Sequence, residues 1–216
     1  FLYGVNLGGW LVLERWMTPA LFEGTDAVDE YTFMQTPGSR DKLRKHQREF
    51  IREEDFKWMS QNGVNAVRIP VGYWLFDGDK PFISCIGKLD WAVRMGEKYG
   101  IRILICMHGA PGSQNGRDHS GRKGSAKWHQ NAEYRKQTID VLVKLAERYK
   151  QDESVWGIQM LNEPPGKLFN KQLRDFYRQA YRKIARAGRS GLAVVYSDAF
   201  TPRLLSGALW PYTDYP

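Results

Sequence analysis

The stretch Val155-Trp156-Gly157-Ile158-Gln159-Met160-Leu161, followed at once by Asn162-Glu163-Pro164, decides the predicted fold. A mostly apolar run of about this length is typical of a strand that is buried on both faces of a parallel sheet. The polar pair Asn162-Glu163 stands where that strand ends. Comparable runs predict four more strands, at residues 1–7, 64–69, 101–107 and 192–196.

Helical patterns separate the predicted strands. Apolar residues recur at helical spacing in four segments: 40–61, 88–99, 131–149 and 169–187. Three of these segments stop at a glycine, which takes the left-handed conformation that ends a helix: Gly63, Gly100 and Gly188. The alternation predicts a parallel sheet covered by helices, and the lack of a polar linker predicts one domain.

Two α/β architectures compete for this pattern. A doubly wound sheet usually has a Gly-rich phosphate-binding turn after its first strand, and here Gly8-Gly9-Trp10-Leu11 lacks that spacing. The other candidate is a (β/α)8 TIM barrel, which needs roughly 250 residues. We therefore expect residues 1–216 to hold strands 1–5 and helices 1–4, as the N-terminal portion of a single barrel domain.

Composition excludes several classes of protein. The chain has 216 residues, a formal net charge of +8, and 42% hydrophobic and 26% charged residues, which are the proportions of a globular protein. No apolar run approaches the roughly 18 residues of a membrane helix, and no Cys or His spacing matches a zinc motif. We predict buried thiols at Cys85 and Cys106, with a bond between them left open, and no metal or other cofactor.

Polar or charged residues close or interrupt every predicted strand. In chain order they are Glu14, Arg68, His108, the pair Asn162-Glu163, and Asp198. A barrel collects its chemistry at the C-terminal ends of its strands. We therefore expect these side chains to form one site.

Each of these residues also has a structural interpretation. Arg68 could neutralise a buried carboxylate, and His108 could be a hydrogen-bonded core imidazole. Asp198 could cap a turn, and Glu163 could be a solvated loop acid. The catalytic interpretation is strongest for Glu163, because a carboxyl group at an apolar barrel mouth stays neutral more readily and can protonate a leaving oxygen.

The tryptophans suit a carbohydrate ligand, because the C–H faces of a pyranose pack on indole rings. Four of them lie in predicted loops and are candidates for such stacking: Trp10, Trp74, Trp128 and Trp210. Trp58 and Trp91 lie in helical patterns and are predicted to be core residues.

The motifs together resemble glycoside hydrolase family 5. The resemblance rests on Arg68-Ile69-Pro70, His108-Gly109-Ala110-Pro111-Gly112-Ser113-Gln114 and Leu161-Asn162-Glu163-Pro164. Within the family the chain is similar to the exo-β-1,3-glucanases, through Gly4-Val5-Asn6-Leu7-Gly8-Gly9-Trp10-Leu11-Val12-Leu13-Glu14, Met17-Thr18-Pro19 and Gln114-Asn115-Gly116…Asp118…Ser120-Gly121. This ordered set covers nearly the whole chain and is far more specific than the Asn-Glu-Pro motif alone.

The resemblance implies a retaining double displacement by two glutamates. Glu163 matches the acid/base, and Asn162 matches the neighbour that contacts the sugar 2-hydroxyl. Arg68 and His108 match residues that support the nucleophile and the first subsite. Substrate binding is expected of six residues, of which the first two match those that hold a terminal glucose: Glu14, Asp118, Asn115, His119, Trp10 and Asp198.

The chain departs from the family in three places. The family's nucleophile glutamate follows strand 7, which is expected beyond Pro216, so no residue here matches it. Arg117 stands where many fungal members have an aromatic residue that lines the acceptor site, and His119 stands where they have Asn. Linkage preference therefore stays open. The 216 residues alone are expected to be inactive, with the remainder missing or supplied by a second chain.

Several functions stay open beside a retaining β-glucan hydrolase of the exo-1,3 type. A β-1,6-glucanase or a β-glucosidase would share the motifs, and a non-catalytic glycan-binding fragment would need no nucleophile. An anion-binding protein that uses the basic residues 167–189 also stays open, because Arg174, Arg178, Arg182 and Arg186 share one helix face. No aromatic residues interleave on that face for base stacking, so no nucleic acid is expected. The expected partner is a β-glucan or another β-glucoside, without a membrane, and we expect the protein to be secreted.

Overall fold

The computed structural model describes residues 1–76 and 79–201, without the side chains of 167–170. Its strands form one five-stranded sheet in sequence order, and every neighbouring pair is parallel. They are β1 (Gly4–Asn6), β2 (Ala66–Gly72), β3 (Arg102–Gly109), β4 (Val155–Gln159) and β5 (Ala193–Val195). Strands of a (β/α)8 barrel follow one another in this order, so the predicted first part of a TIM barrel is confirmed.

Six α-helices accompany the strands in the described part of the chain. They are α1 (Glu30–Phe33), α2 (Ser39–Glu49), α3 (Glu53–Gln61), α4 (Ile86–Tyr99), α5 (Ala132–Arg148) and α6 (Gly166–Ala187). None of them is long and apolar enough to cross a bilayer. The last three agree with the predicted segments to within a few residues.

The prediction of one helix over residues 40–61 is wrong, because the chain turns between α2 and α3. Arg52 has an extended backbone, and its N–H donates a hydrogen bond of 2.7 Å to the Asp55 carboxylate. The first turn of α3 holds the acids Glu53, Glu54 and Asp55, which favour a new helix N-terminus. That acidic triplet is the signal in the sequence for the break.

Two of the predicted helix-ending glycines behave differently. Gly100 has φ of 67° and ends α4 in the left-handed conformation, as predicted. Gly188 has φ of −82° and an extended backbone, so the left-handed prediction is wrong there. A Cβ on Gly188 would lie 2.7 Å from the Leu192 side chain. Close packing after α6 therefore requires this glycine.

The main core lies between the sheet and its helices and includes Ile103, Ile105, Leu142 and Ile184, all buried. Trp91 packs against it as predicted, but Trp58 is 61% exposed, so its prediction as a core residue is wrong. Trp58 lies on α3 on the solvent side, where an indole lacks neighbours to pack against.

A smaller core under the loops stiffens the C-terminal edge of the sheet. It contains Leu13, Phe22 and Phe33 from the long segment after β1. That segment also meets the loop after β3, where the Tyr31 N–H donates to the Gly121 carbonyl at 2.9 Å. The edge at which the polar residues gather is therefore backed by packed chain on two sides.

Candidate active site

Arg68 on β2 is the centre of a polar layer that crosses four strands. Its Nε donates to Gln159 Oε1 on β4, and its Nη1 donates to Asn6 Oδ1 on β1, both at 2.8 Å. Its Nη2 donates to Asn162 Oδ1 at 2.8 Å and to Cys106 Sγ at 2.9 Å. All four partners are neutral, so within the described residues no carboxylate is hydrogen-bonded to the guanidinium.

Cys106 supplies an uncharged neighbour to that layer. Burial raises the pKa of the Cys106 thiol to about 12, so the group is neutral near pH 7. Cys85 is buried too, and both cysteines are free. The prediction of buried thiols is confirmed, and the two are not bonded to each other.

The ends of β3 and β4 are tied together by the side chain of Gln114. Its Nε2 donates to the carbonyl of His108 at 2.7 Å and to the carbonyl of Asn162 at 3.0 Å. The Asn162 N–H donates to the Met107 carbonyl at 2.8 Å. Asn162 is therefore fixed through its backbone on one side and through Arg68 on the other.

Glu163 has a strained backbone at the end of β4. Its φ of 45° is in the left-handed region, which costs a non-glycine residue about 1–3 kcal/mol and is frequent at functional sites. Asn115 Nδ2 holds the Glu163 carbonyl at 3.1 Å. The Glu163 side chain is 38% exposed, and its Oε2 lies 3.2 Å from His119 Nε2. The carboxyl group thus faces the open side of the site.

His108 at the end of β3 is a buried, neutral imidazole. Burial lowers its pKa well below the ordinary value, and the nearby Arg68 and His119 act in the same direction. Its Nε2 lies 3.5 Å from Asn162 Nδ2 and 3.8 Å from Glu14 Oε1. It therefore connects the β4 end of the site with the loop after β1.

Glu14 in that loop is a nearly buried carboxyl, and burial raises its pKa above the ordinary value. Its Oε2 accepts a hydrogen bond of 3.1 Å from Trp16 Nε1, whose indole is 73% exposed. The sequence analysis missed Trp16, although an aromatic residue two positions after a predicted sugar-binding acid was a usable signal. Trp16 is the exposed indole that the loop tryptophans were expected to provide.

The loop tryptophans named from the sequence are buried, so the expectation that they stack on sugar is wrong for the three described ones. Trp10 donates from Nε1 to the Gln47 carbonyl at 3.0 Å, and Trp128 donates to Thr138 Oγ1 at 3.0 Å. Trp74 stacks on Phe82 at 3.9 Å between ring centroids. Trp10 and Trp128 are part of the main core, and Trp74 belongs to a small cluster with Val12 and Phe82. Trp210 lies outside the described residues.

Asp198 and Asn115 have local structural partners. Asp198 is exposed, and its Oδ1 accepts from the N–H of Phe200 at 2.9 Å, which matches the turn-capping interpretation. No described contact joins it to Glu163. Asn115 accepts from the Arg117 N–H at 3.0 Å while it holds Glu163, so it supports the loop rather than facing solvent.

Asp118 and His119 begin a 3-10 turn, Asp118–Ser120, in the loop after β3. The charge of Asp118 reaches Glu14 and raises its pKa further. Gln159 and Asn6, which hold Arg68, were not selected from the sequence. The signal available for both was a polar side chain inside an apolar strand.

The gathered groups can bind a sugar and exchange a proton with it. A glutamic acid after β4, an adjacent amide, a neutral imidazole and a buried carboxyl line the C-terminal edge of a TIM-barrel sheet, which is where barrel enzymes place their chemistry. This arrangement is typical of a TIM-barrel enzyme.

The comparison with family models specifies the class. Residues 28–206 match the model described as cellulase (glycosyl hydrolase family 5). The chain belongs to glycoside hydrolase family 5.

Curated relatives are fungal proteins. The chain is 40% identical over 215 residues to a glucan 1,3-beta-glucosidase of Pichia angusta, covering 93% of this chain and 49% of that protein. It is 43% identical over 208 residues to a probable glucan 1,3-beta-glucosidase A of Aspergillus fumigatus, with 91% and 50% covered. The chain therefore spans about half the length of the curated relatives it matches.

Solved structures agree on the fold. A rutinosidase from Aspergillus niger superposes with a TM-score of 0.83 at 19% identity, over 99% of this chain and 65% of that one. An endoglucanase from Thermotoga maritima superposes with a TM-score of 0.55 at 17% identity, over 90% and 50%. At these identities the likeness concerns the architecture alone.

Proposed function

We propose that this chain is the N-terminal portion of a single catalytic domain that hydrolyses β-glucans with retention, releasing glucose from 1,3-linked chain ends. The observation that carries the proposal is the polar cluster in which Asn162 contacts Arg68 inside β2 and His108 at the end of β3, with Glu163 next to Asn162 after β4 and in contact with His119. Identity of 40–43% to glucan 1,3-beta-glucosidases supports the substrate class.

The reaction assigns a separate task to each group. Glu163 donates its proton to the glycosidic oxygen as the bond to C1 breaks, and a second carboxylate forms an ester with C1. Glu163 then removes a proton from water while that water attacks C1, the ester bond breaks, and the second carboxylate is released. The nucleophile glutamate is expected beyond Pro216. Arg68 has four neutral partners and no described carboxylate partner, so we expect its charge to support that carboxylate.

The substrate side of the site is assigned to the loops after β1 and β3. Glu14 and Asp118 accept hydroxyl donors of the terminal glucose, and Trp16 stacks on its C–H face. Chain-end specificity follows if these groups close the site behind one glucose unit. Secretion of the protein and a second chain that completes the barrel stay predictions.

Product analysis tests the proposal. Protein that carries residues 1–216 in its natural full length is incubated with a β-1,3-glucan, a β-1,6-glucan and an aryl β-glucoside, with Glu163→Gln as the matched control. Early glucose from the β-1,3-glucan, formed first as the β-anomer by NMR, is the expected result. The α-anomer first would exclude retention. An oligosaccharide ladder would exclude exo attack, faster cleavage of β-1,6-glucan would favour that linkage, and binding without turnover would favour a glycan-binding protein.

A further inference from the structure

We infer that His119 is a positioning residue for the acid/base, which donates a hydrogen bond to the Glu163 carboxylate and favours its ionised form. The inference rests on the proposed function and deepens it. His119 was expected to bind substrate, and the inference instead assigns it to the control of proton exchange by Glu163. The resemblance places Asn at this position in many fungal members of the family.

The imidazole of His119 lies between the two residues that end β4. Its Nε2 is 3.2 Å from Glu163 Oε2, and its Nδ1 is 3.4 Å from Asn162 Nδ2. The His119 side chain is only 11% exposed. A nearly buried ring with one nitrogen on a carboxylate has little freedom to serve a substrate hydroxyl instead.

The hydrogen bonds around Asn162 decide which nitrogen of His119 bears the proton. Arg68 Nη2 can only donate, and it donates to Asn162 Oδ1 at 2.8 Å. The amide group Nδ2 of Asn162 therefore faces His119 and donates to Nδ1. Asn115 Nδ2 lies 3.4 Å from Nε2 as well, but the Glu163 carboxylate is closer to Nε2, at 3.2 Å, and can only accept when it is ionised. With Asn162 donating at Nδ1 and this carboxylate at Nε2, the proton of a neutral imidazole is on Nε2.

The loop after β3 holds the ring in this place. Ser120 Oγ and Ser113 Oγ are 2.6 Å apart, and a Cβ on Gly109 would lie 2.8 Å from the Ser120 carbonyl. The Tyr31 N–H donates to the Gly121 carbonyl at 2.9 Å from the other long loop. His119 is thus braced from two elements, and Glu163 gains a fixed partner for its side chain.

The chemical consequence differs between the two halves of the reaction. A hydrogen bond donated to the charged form of a carboxyl group favours that form. The ionised form is the base that removes a proton from water, and the neutral form is the acid that protonates the leaving oxygen. His119 therefore aids the second half-reaction, in which Glu163 is the base. At high pH it limits the first half-reaction, in which Glu163 must be a neutral acid. The other charged or titratable groups around the pair stay the same in the variants below: Glu14, Arg68, Cys106, His108 and Asp118.

The test compares pH profiles of His119→Leu and His119→Gln with the natural full-length protein, and Lys123→Ala, exposed on the same loop, serves as the control. Loss of a hydrogen bond to a charged group moves the alkaline limb of kcat/KM to higher pH by about one unit in His119→Leu. For an aryl glucoside with a good leaving group, kcat falls about tenfold because its second half-reaction is slowed. His119→Gln keeps an N–H donor and restores part of both effects.

The outcomes separate this inference from the proposed function. An unshifted alkaline limb with a raised KM alone would assign His119 to substrate binding and overturn the inference, while hydrolysis by the wild-type protein would stand. If His119→Leu is not folded by its thermal unfolding curve, the profile of His119→Gln decides. For His119→Gln, an alkaline limb of kcat/KM that lies more than half a pH unit from that of the wild type, with kcat unchanged, would contradict the inference. No hydrolysis by the wild-type protein would end the proposed function itself.

Discussion

Two walls of the site differ in how tightly their carboxyl groups are held. The β4 wall comprises Glu163, Asn162 and the loop residues Asn115 and His119, which are joined by direct contacts of 3.1 to 3.4 Å. The β1 wall comprises Glu14 and Trp16, which share one hydrogen bond of 3.1 Å. Glu14 is the more buried carboxyl and has Trp16 and His108 beside it, at 3.1 and 3.8 Å, whereas Glu163 is held both at its main-chain carbonyl and at its carboxylate.

This difference indicates which side chains are positioned without a ligand and which carboxyl group can still accept hydrogen bonds from one. Proton exchange needs a carboxyl group at a fixed position, so the β4 wall is built in advance. Burial without enough donors raises the pKa of Glu14. Sugar hydroxyls can supply the missing donors, because a carboxylate oxygen accepts several hydrogen bonds. Under the proposed function, we therefore expect the β1 wall to complete its hydrogen bonding with a terminal glucose.

The largest expected effect comes from the acid/base. Glu163→Gln keeps the shape of the side chain and removes its proton exchange, so hydrolysis of β-1,3-glucan should fall about 10²–10⁴-fold. Activated aryl glucosides should lose less in the first half-reaction, since their leaving groups need little protonation. Initial rates and burst kinetics on both substrates measure the difference. Equal activity on β-glucan would remove Glu163 from the mechanism.

A smaller loss is expected at the β1 wall. Glu14→Gln removes a charged acceptor for hydroxyl groups, so kcat/KM on glucan chain ends should fall roughly 10–100-fold. Chromatography of early products should show less glucose relative to longer oligosaccharides. If glucose stays the first product at wild-type rate, the β1 wall has no part in chain-end recognition.

The exposed indole of the β1 wall should have a weaker effect. Trp16→Ala removes a stacking surface and should raise KM about three- to tenfold while kcat changes little. Trp58→Ala is the matched control, because Trp58 is also exposed but lies on α3 among the outer helices. The same change in both variants would attribute the effect to general stability instead of stacking.

The last prediction concerns the stability of the β1 wall. Glu30 is buried below it and accepts from the Leu13 N–H at 2.9 Å, and burial raises its pKa to about 8. The folded protein keeps this proton between about pH 4.5 and pH 8, where the unfolded chain has lost it. Unfolding free energy therefore falls as pH rises through that window, by at most about 1.4 kcal/mol per unit. Thermal unfolding from pH 5 to pH 8 measures this slope.

Glu30→Gln is the variant that isolates this contribution. It retains an acceptor for the Leu13 N–H, but it has no titrating proton, so its melting temperature should fall less between pH 5 and pH 8 than that of the wild type. An identical pH dependence in the two proteins would assign the slope to other groups.

The sequence predicted what depends on local pattern and on the geometry of parallel sheets. Apolar runs located all five strands, and strand ends located His108 and Glu163, because parallel strands bring their C-terminal ends to one edge. Arg68 was located as a charge inside an apolar run. It could not show that Trp10 and Trp74 are buried. The loops form their own core through contacts between distant residues, so exposure in a loop does not follow from a loop assignment.

Contacts between side chains that are distant in the sequence were the other feature that could not be predicted. That His119 would contact Glu163 depends on how the 43 intervening residues fold to bring two loops together. The spacing of residues along the sequence does not indicate such a contact. The turn between α2 and α3 was missed for a related reason, because apolar spacing continued through residues 50–52 while the acids after them began a new helix.

The configuration of an azide product tests the central claim, that Glu163 is the acid/base of a retaining glucosidase, most directly. Glu163→Ala in the natural full-length protein is given an aryl β-glucoside and sodium azide, and the product is identified by NMR. If a glycosyl-enzyme forms on another carboxylate, azide attacks it in the space left by Glu163, and the account predicts β-glucosyl azide with a rate that rises with azide concentration. Formation of α-glucosyl azide would make Glu163 the nucleophile, and a rate unaffected by azide would contradict any catalytic role for it.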